Sequence, residues 1–121
     1  MPLIDESTSN VGDNSITIEE FLKVTLQAGK IIQAQSMSGM KKIIKVEVDI
    51  GSEKREIAVG VAAHYKPEEL IGKMVIVCTN LRRRKIGNMI SNGMILAADS
   101  NQGKPVLVTV DDEVPNGAIV H

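Results

Sequence analysis

The residues with the clearest capacity for chemistry are four consecutive cations, Arg82-Arg83-Arg84-Lys85. Guanidinium and ammonium groups bind phosphate oxygens through charge-assisted hydrogen bonds, and a cluster of them attracts anions even when the whole molecule is near neutral. The same run would also suit a solvated loop whose only role is solubility. The cluster therefore leaves two interpretations open, a phosphate-binding surface and a solubilising loop.

The charges are segregated along the chain, although the formal net charge is only −1. Residues 1–20 carry five acids and no base, residues 21–60 carry a net charge of +3, and residues 61–85 carry +4. Residues 86–121 return to −3. A basic middle region between acidic ends is consistent with a phosphate-bearing partner.

Catalytic and metal-binding chemistry is poorly supported by the residue types. The chain has two histidines, His64 and His121, and its single cysteine, Cys78, lies near neither of them, so no zinc-site spacing exists. Cys78 stands in an apolar run and reads as a small core residue. No glycine-rich segment has the spacing of a phosphate loop or a dinucleotide fingerprint. We therefore expect no catalytic residue, no metal and no cofactor, and a protein that is not an enzyme.

The shortage of aromatic residues limits how a nucleic acid could bind. Phe21 and Tyr65 are the only aromatic residues. Proteins that hold single strands commonly stack bases on aromatic side chains, a contact worth about 1–3 kcal/mol per base. RNA recognition by this chain would instead rely on phosphates, on shape and on 2′-hydroxyl groups.

The length of 121 residues fits one domain. The longest uninterrupted apolar runs, Met74–Cys78 and Met94–Ala98, are five residues each, whereas a membrane-spanning helix needs about 20. Acids stand near the N-terminus where a signal peptide would carry bases. We expect a soluble, cytoplasmic protein that does not enter a membrane, with a flexible acidic tail over residues 1–14 and one domain over residues 15–121.

Local patterns predict the elements that must position the cations. A capping box, Thr17 and Glu20, predicts a helix of about two turns. Residues 26–35 read as a strand in which Gly29 marks a bulge or bend. Residues 44–50 alternate apolar and charged side chains, which is typical of an antiparallel strand with one buried face.

The second half of the chain continues the β pattern. Pro67 to Leu70 predicts one helical turn, and residues 73–79 form an apolar strand. Residues 80–92 read as a polar, basic loop, and two further strands follow over residues 93–98 and 105–110. This pattern predicts an all-β fold, a five-stranded Greek-key barrel of the oligonucleotide/oligosaccharide-binding (OB) type, with short helices and a C-terminal extension. Other β-barrels would fit the same periodicity nearly as well.

The sequence around the cations resembles a known family. The order of Asn80-Leu81-Arg82, Arg84-Lys85 and Ser91-Asn92-Gly93-Met94 is similar to the hallmark of the tRNA-binding domain family. That family includes structure-specific tRNA-binding proteins and the C-terminal domain of many methionyl-tRNA synthetases. The likeness extends over about residues 16–121 and includes the opening helix, the crossing helix and the closing turn.

The resemblance implies an OB-fold homodimer that binds the outside of folded tRNA and serves as an accessory subunit of methionyl-tRNA synthetase. Asn80 would either shape the loop or donate to the RNA backbone. Met94 would either pack against a base or sugar or be an ordinary core residue. The resemblance assigns phosphate contacts to Lys42, Arg82, Arg84 and Lys85, with Lys30 on the first strand beside them, and it places Ser91 and Asn92 where the family contacts RNA. Arg83 adds positive charge to the same run, but no family match supports a role for it. We expect Ser91 to be exposed, so that its replacement would affect binding more than stability.

A second function class stays open within the same fold family. Export chaperones of the CsaA type resemble this chain in length, in the opening helix and in a step such as Ile86-Gly87. They bind unfolded polypeptides, and they generally lack the intact Ser-x-Gly-Met step. The presence of Ser91 to Met94 therefore favours tRNA.

Overall fold

A computed structural model describes residues 13–121. The predicted flexible tail over residues 1–14 lies outside the described residues except for its last two positions. Within the described part, two single-turn helices accompany ten strands, so the predicted all-β class is confirmed. No helix in this part of the chain is long and apolar enough to cross a membrane.

Both short helices begin where the sequence places their caps. Helix α1 spans Ile18–Phe21, and its predicted capping box is present, since the Thr17 hydroxyl accepts from the Glu20 amide at 3.0 Å. It has one turn rather than the predicted two. Helix α2 spans Pro67–Leu70, and the Glu69 carboxylate accepts from the Lys66 amide at 2.9 Å.

Four longer strands form most of the sheet, and six short strands follow or flank them. The long strands are β1 (Leu26–Met37), β2 (Met40–Asp49), β3 (Lys54–Val59) and β4 (Met74–Cys78). The short strands are β5 (Arg84–Ile86), β6 (Met89–Ser91), β7 (Met94–Ile95), β8 (Ala97–Asp99), β9 (Pro105–Leu107) and β10 (Ile119–Val120).

The long strands and β7 form one antiparallel sheet in the order β3-β2-β1-β4-β7. The segment that joins β6 to β7 returns to the free edge of β3, where the Asn92 amide donates to the Glu56 carbonyl at 2.9 Å. The five positions of the sheet therefore close into a barrel of the predicted OB type.

The barrel interior is filled by one face of each long strand. In β2 the alternating residues Ile44, Val46 and Val48 are buried, as the period of two predicts. They pack with Ile57 of β3 and with side chains of β1 and β4 in one aliphatic core.

Gly29 allows a close approach between strands rather than a bulge. A Cβ atom at this position would lie 2.6 Å from Val48 Cγ1. Gly29 pairs in register with Val75, and the register shift in β1 falls between Ile31 and Gln33. Of the predicted bulge or bend at Gly29, the bulge is therefore wrong, because the glycine is required by the close packing of the Val48 side chain.

The predicted C-terminal extension pairs with the edge of β1 that β2 leaves free. Strand β10 pairs with the start of β1, with Leu26 opposite Val120. The Ala28 amide donates to the Ala118 carbonyl at 2.8 Å, and the Gly117 amide donates to the Ala28 carbonyl at 2.7 Å. These bonds fix the last turn of the chain against the barrel.

Candidate nucleic-acid interface

The cationic run leads into a hairpin rather than a plain loop. Strands β5 and β6 pair in register, with Arg84 opposite Ser91 and Ile86 opposite Met89. A two-residue turn, Gly87-Asn88, joins them, and Gly87 has φ +61°, a conformation that glycine adopts at little cost. The prediction of a polar, basic loop over residues 80–92 is therefore wrong from Arg84 to Ser91, where the chain forms this hairpin.

Ser91 fixes the hairpin to the barrel. Its side chain is 0% exposed. The Ser91 Oγ accepts from the Ala58 amide of β3 at 3.0 Å and donates to the Gly93 carbonyl at 3.2 Å. The expectation that Ser91 presents an exposed hydroxyl to RNA is wrong, because both hydrogen-bonding roles of that hydroxyl are used inside the protein.

The turn of hairpin β5–β6 is held against the tip of hairpin β1–β2. A Cβ atom at Gly87 would overlap the Met40 sulfur, and the Met40 Cε would lie 3.3 Å from it. Gly87 thus lies directly against the Met40 thioether. The two hairpins form one surface instead of two independent arms.

The four cations are all exposed, two of them just before the hairpin β5–β6 and two on its first strand. Arg82, Arg83, Arg84 and Lys85 are exposed, and the salt bridges within residues 13–121 join other residues, Lys45 with Glu56 and Arg55 with Glu53. Lys85 pairs across the hairpin with Ile90, which is 53% exposed, so this face of β5 meets solvent. Arg84 lies on the opposite face of β5, because successive strand residues alternate.

Lys42 lies near the hairpin, but Lys30 does not. Lys42 is exposed and stands two positions after Met40, on the same face of β2 as the side chain that contacts Gly87. Lys30 pairs with Asp49, about 23 Å farther along β2 at roughly 3.3 Å per residue. It lines a depression together with Glu113. The expectation that Lys30 lies beside the other phosphate-binding cations is wrong, because Lys30 lies at the opposite end of β2 from Lys42.

Asn80 anchors the start of the cationic segment. Its Oδ1 accepts from the Thr25 amide at 2.9 Å, and its Nδ2 donates to the Lys23 carbonyl at 2.6 Å. The segment that carries the arginines is thereby tied to the junction of α1 and β1. Asn80 was expected either to shape the loop or to donate to the RNA backbone. These hydrogen bonds within the protein correspond to the first role.

Asn92 and Met94 lie beyond the hairpin, on the way back to β4. Asn92 is half-buried, and its amide is used in closing the barrel. Met94 pairs with Cys78 and is 39% exposed, so it is not an ordinary core methionine. Its strand partner Cys78 is the last residue of β4, two positions before Asn80 in the chain.

Sequence reasoning missed Met40 and a row of neutral polar residues beside it. Gln35, Ser36, Ser38 and Asn88 line a cleft between the tips of the two hairpins. The Gly87-Asn88 dipeptide between two short β-like runs is a recognised hairpin signal and would have indicated the turn. No local pattern predicts that a methionine from another strand packs on that glycine.

A small OB-type barrel with an exposed cationic hairpin defines a class of polynucleotide-binding proteins. The family model described as "Putative tRNA binding domain" matches residues 26–119. The chain belongs to this tRNA-binding domain family, as the resemblance of residues 80–98 predicted.

Curated relatives carry this domain as a small part of a larger enzyme. The chain is 42% identical over 113 residues to a methionine–tRNA ligase of Thermotoga maritima, a match that covers 93% of this chain and 18% of that protein. A methionine–tRNA ligase of Methanospirillum hungatei is 47% identical over 84% of this chain and 15% of its own length. The chain therefore spans less than a fifth of these curated relatives.

Solved structures include proteins of comparable size. A MetRS-related protein from Pyrococcus horikoshii superposes with a TM-score of 0.85 at 38% identity, over 90% of this chain and 100% of that one. The chaperone CsaA from Bacillus anthracis superposes with a TM-score of 0.81 at 24% identity, over 88% and 99% of the two chains. The second similarity shows the shared fold alone.

Proposed function

We propose that the protein is a non-catalytic tRNA-binding protein of the cytoplasm that recognises the shape and the phosphate backbone of folded tRNA. The observation that carries this proposal is the run from Arg82 to Lys85, exposed and outside the salt bridges of residues 13–121. Cations that are not neutralised by neighbouring acids are available to phosphates. Lys42, on the hairpin that contacts Gly87, extends the same surface.

Membership of the tRNA-binding domain family supports this partner over other polyanions. The absence of an aromatic platform supports recognition of a folded RNA, since Phe21 and Tyr65 lie outside both hairpins. Counterion release from phosphates would supply most of the affinity. In this proposal residues 15–121 form a single domain that binds tRNA.

We further propose that two copies form a homodimer through an apolar patch at one end of the barrel. The patch consists of Phe21, Leu22, Leu81, Met94 and Ile119, which are all exposed. Asn80 holds Leu81 near α1, while the pairing of β10 with β1 brings Ile119 to the same end. Contiguous exposed apolar surface of this kind is typical of protein interfaces. Two cationic hairpins in one particle would raise the avidity for tRNA.

The similarity to methionine–tRNA ligases supports a role as an accessory to that enzyme. In this role the protein would deliver tRNA to a methionyl-tRNA synthetase. The expected result is a lower KM for tRNA when the protein is added to its synthetase, with kcat unchanged. An unchanged KM would contradict the accessory role and leave tRNA binding intact.

A competition experiment separates tRNA binding from the chaperone alternative. Gel shifts would compare folded tRNA, heat-unfolded tRNA and a denatured polypeptide. We expect the tightest binding to folded tRNA and weaker binding of it by Arg84→Ala/Lys85→Ala. Binding of the denatured polypeptide that folded tRNA does not compete would overturn the proposal.

A further inference from the structure

A small cleft of about 200 Å³ lies between the tips of hairpins β1–β2 and β5–β6. This volume is below the range of small-ligand pockets, about 300–1,000 Å³, so the cleft suits one planar ring rather than a larger ligand. The Met40 side chain reaches from one tip to Gly87 in the other, so the two tips are in contact. The cleft is therefore a preformed feature of the surface that carries the cations. Its polar lining residues are Gln35, Ser36, Ser38 and Asn88.

The side chains that line the cleft present uncharged hydrogen-bond donors and uncharged hydrogen-bond acceptors. A carboxamide presents a donor and an acceptor side by side, and a hydroxyl can act as either. Within residues 13–121, the side chains of these four residues make no hydrogen bond to the protein. Unused amides beside hydroxyls match the edge of a nucleobase, and glutamine and asparagine pair in a bidentate manner with adenine in particular.

The walls of the cleft suit a flat ring. Met37 and Met89 both line it, and Met89 is largely buried. Methionine thioethers are polarizable and pack well against aromatic rings. In a chain without aromatic residues on either hairpin, these two side chains provide the apolar contacts that a base requires.

The charges around the cleft disfavour a phosphate in it. Lys45 lines the cleft, but its Nζ lies 3.4 Å from the Glu56 carboxylate and is already neutralised. Glu47 and Glu56 line an adjoining depression that shares Gln35 and Lys45 with the cleft. Carboxylates at this place repel phosphates, which are attracted instead to the cations of β5.

We propose that this cleft binds one unpaired nucleobase of the folded RNA, with adenine favoured, and reads its edge through Gln35 and Asn88. The inference rests on the proposed function, because a base reaches the cleft only when the backbone lies along the cationic hairpin. It assigns two tasks to one surface. Arg84 and Lys85 hold the backbone, and the cleft selects a position in the loops of the RNA.

The test compares matched pairs of amide residues. Gln35→Ala/Asn88→Ala removes the amides of the cleft, whereas Asn101→Ala/Gln102→Ala removes the same residue types from the exposed turn between β8 and β9. We expect the first variant to weaken binding of a folded tRNA transcript about tenfold with an unchanged salt dependence and an unchanged melting temperature. The second variant should bind like the wild type.

Chemical footprinting identifies the base. Dimethyl sulfate modifies unpaired adenines in free tRNA, and we expect the wild-type protein to protect one of them. Protection should be lost with Gln35→Ala/Asn88→Ala and retained with Asn101→Ala/Gln102→Ala. Equal protection by both variants would overturn the cleft as a base site. If tRNA binding then still responded to Arg84→Ala/Lys85→Ala, the proposed function would stand without the cleft; if it did not respond, both would fail.

Discussion

The Met40 thioether lies directly against Gly87, so the tip of hairpin β1–β2 contacts the turn of the cationic hairpin. Met40 belongs to the strand that also carries Lys42. The contact therefore holds cations from two distant parts of the sequence in a fixed relation. Because folded tRNA presents phosphates at fixed spacings, we expect the affinity to depend on this contact.

Gly87→Ala should weaken tRNA binding more than Gly39→Ala. Both glycines have positive φ, +61° and +77°, so both substitutions incur a strain of about 1–2 kcal/mol in stability. Only the Cβ at residue 87 meets another side chain, since nothing lies within 4 Å of one at residue 39. Fluorescence anisotropy with labelled tRNA would measure the difference. Met40→Ala in the Gly87→Ala background should recover part of the stability, and independent effects of the two changes would contradict the contact.

Arg84→Ala/Lys85→Ala should flatten the salt dependence of tRNA binding. Each phosphate contact that is lost lowers the slope of log K against log salt by about 1, so we expect a reduction of about 2. Filter binding at several salt concentrations measures the slope. Lys30→Ala is the matched control, because Lys30 lies beside Glu113 and far along β2 from Lys42. A larger slope change for Lys30→Ala than for the hairpin variant would contradict the assignment.

The barrel strands are predictable because their signals are local. The alternation over Ile44 to Val48 specifies which face of β2 is buried, and Thr17 with Glu20 specifies the start of α1. Prediction from local sequence patterns fails where an element is stabilised by contacts with residues distant in the chain. Residues 84–91 lack a long alternation, so the short hairpin there is stabilised mainly by β3 and by Met40.

The candidate site is only partly predictable for the same reason. The type and exposure of the cations follow from the sequence, since a run of arginines is seldom buried. The burial of Ser91 depends on the Ala58 amide of a distant strand, and the separation of Lys30 depends on the register of β1 with β2. Neither the hydrogen bond nor the strand register can be predicted from the residue types next to Ser91 or Lys30.

Ser91→Ala should destabilise the fold, contrary to what an exposed serine would do. Removal of the hydroxyl leaves the half-buried Ala58 amide without its partner, a loss of about 1–3 kcal/mol. Ser52→Ala, in the exposed turn between β2 and β3, should change stability by less than about 0.5 kcal/mol. Urea unfolding of both variants tests the difference. Equal midpoints would show that the Ser91 hydroxyl is dispensable to the barrel.

Leu22→Glu/Leu81→Glu should convert the proposed dimer into a monomer. Leu22 is 62% exposed on the described chain, and a carboxylate there would have to lose its water inside an apolar interface. Light scattering after size-exclusion chromatography should give twice the 13.1 kDa of one chain for the wild type and that single mass for the variant. Val106→Glu is the matched control, because Val106 is 43% exposed on β9, outside the apolar patch.

The monomeric variant should also bind tRNA more weakly. Each monomer keeps its cationic hairpin, but the avidity that two hairpins in one particle provide is lost. A wild-type protein that is monomeric at micromolar concentration would contradict the interface, and the cationic hairpin would then have to account for the whole affinity alone.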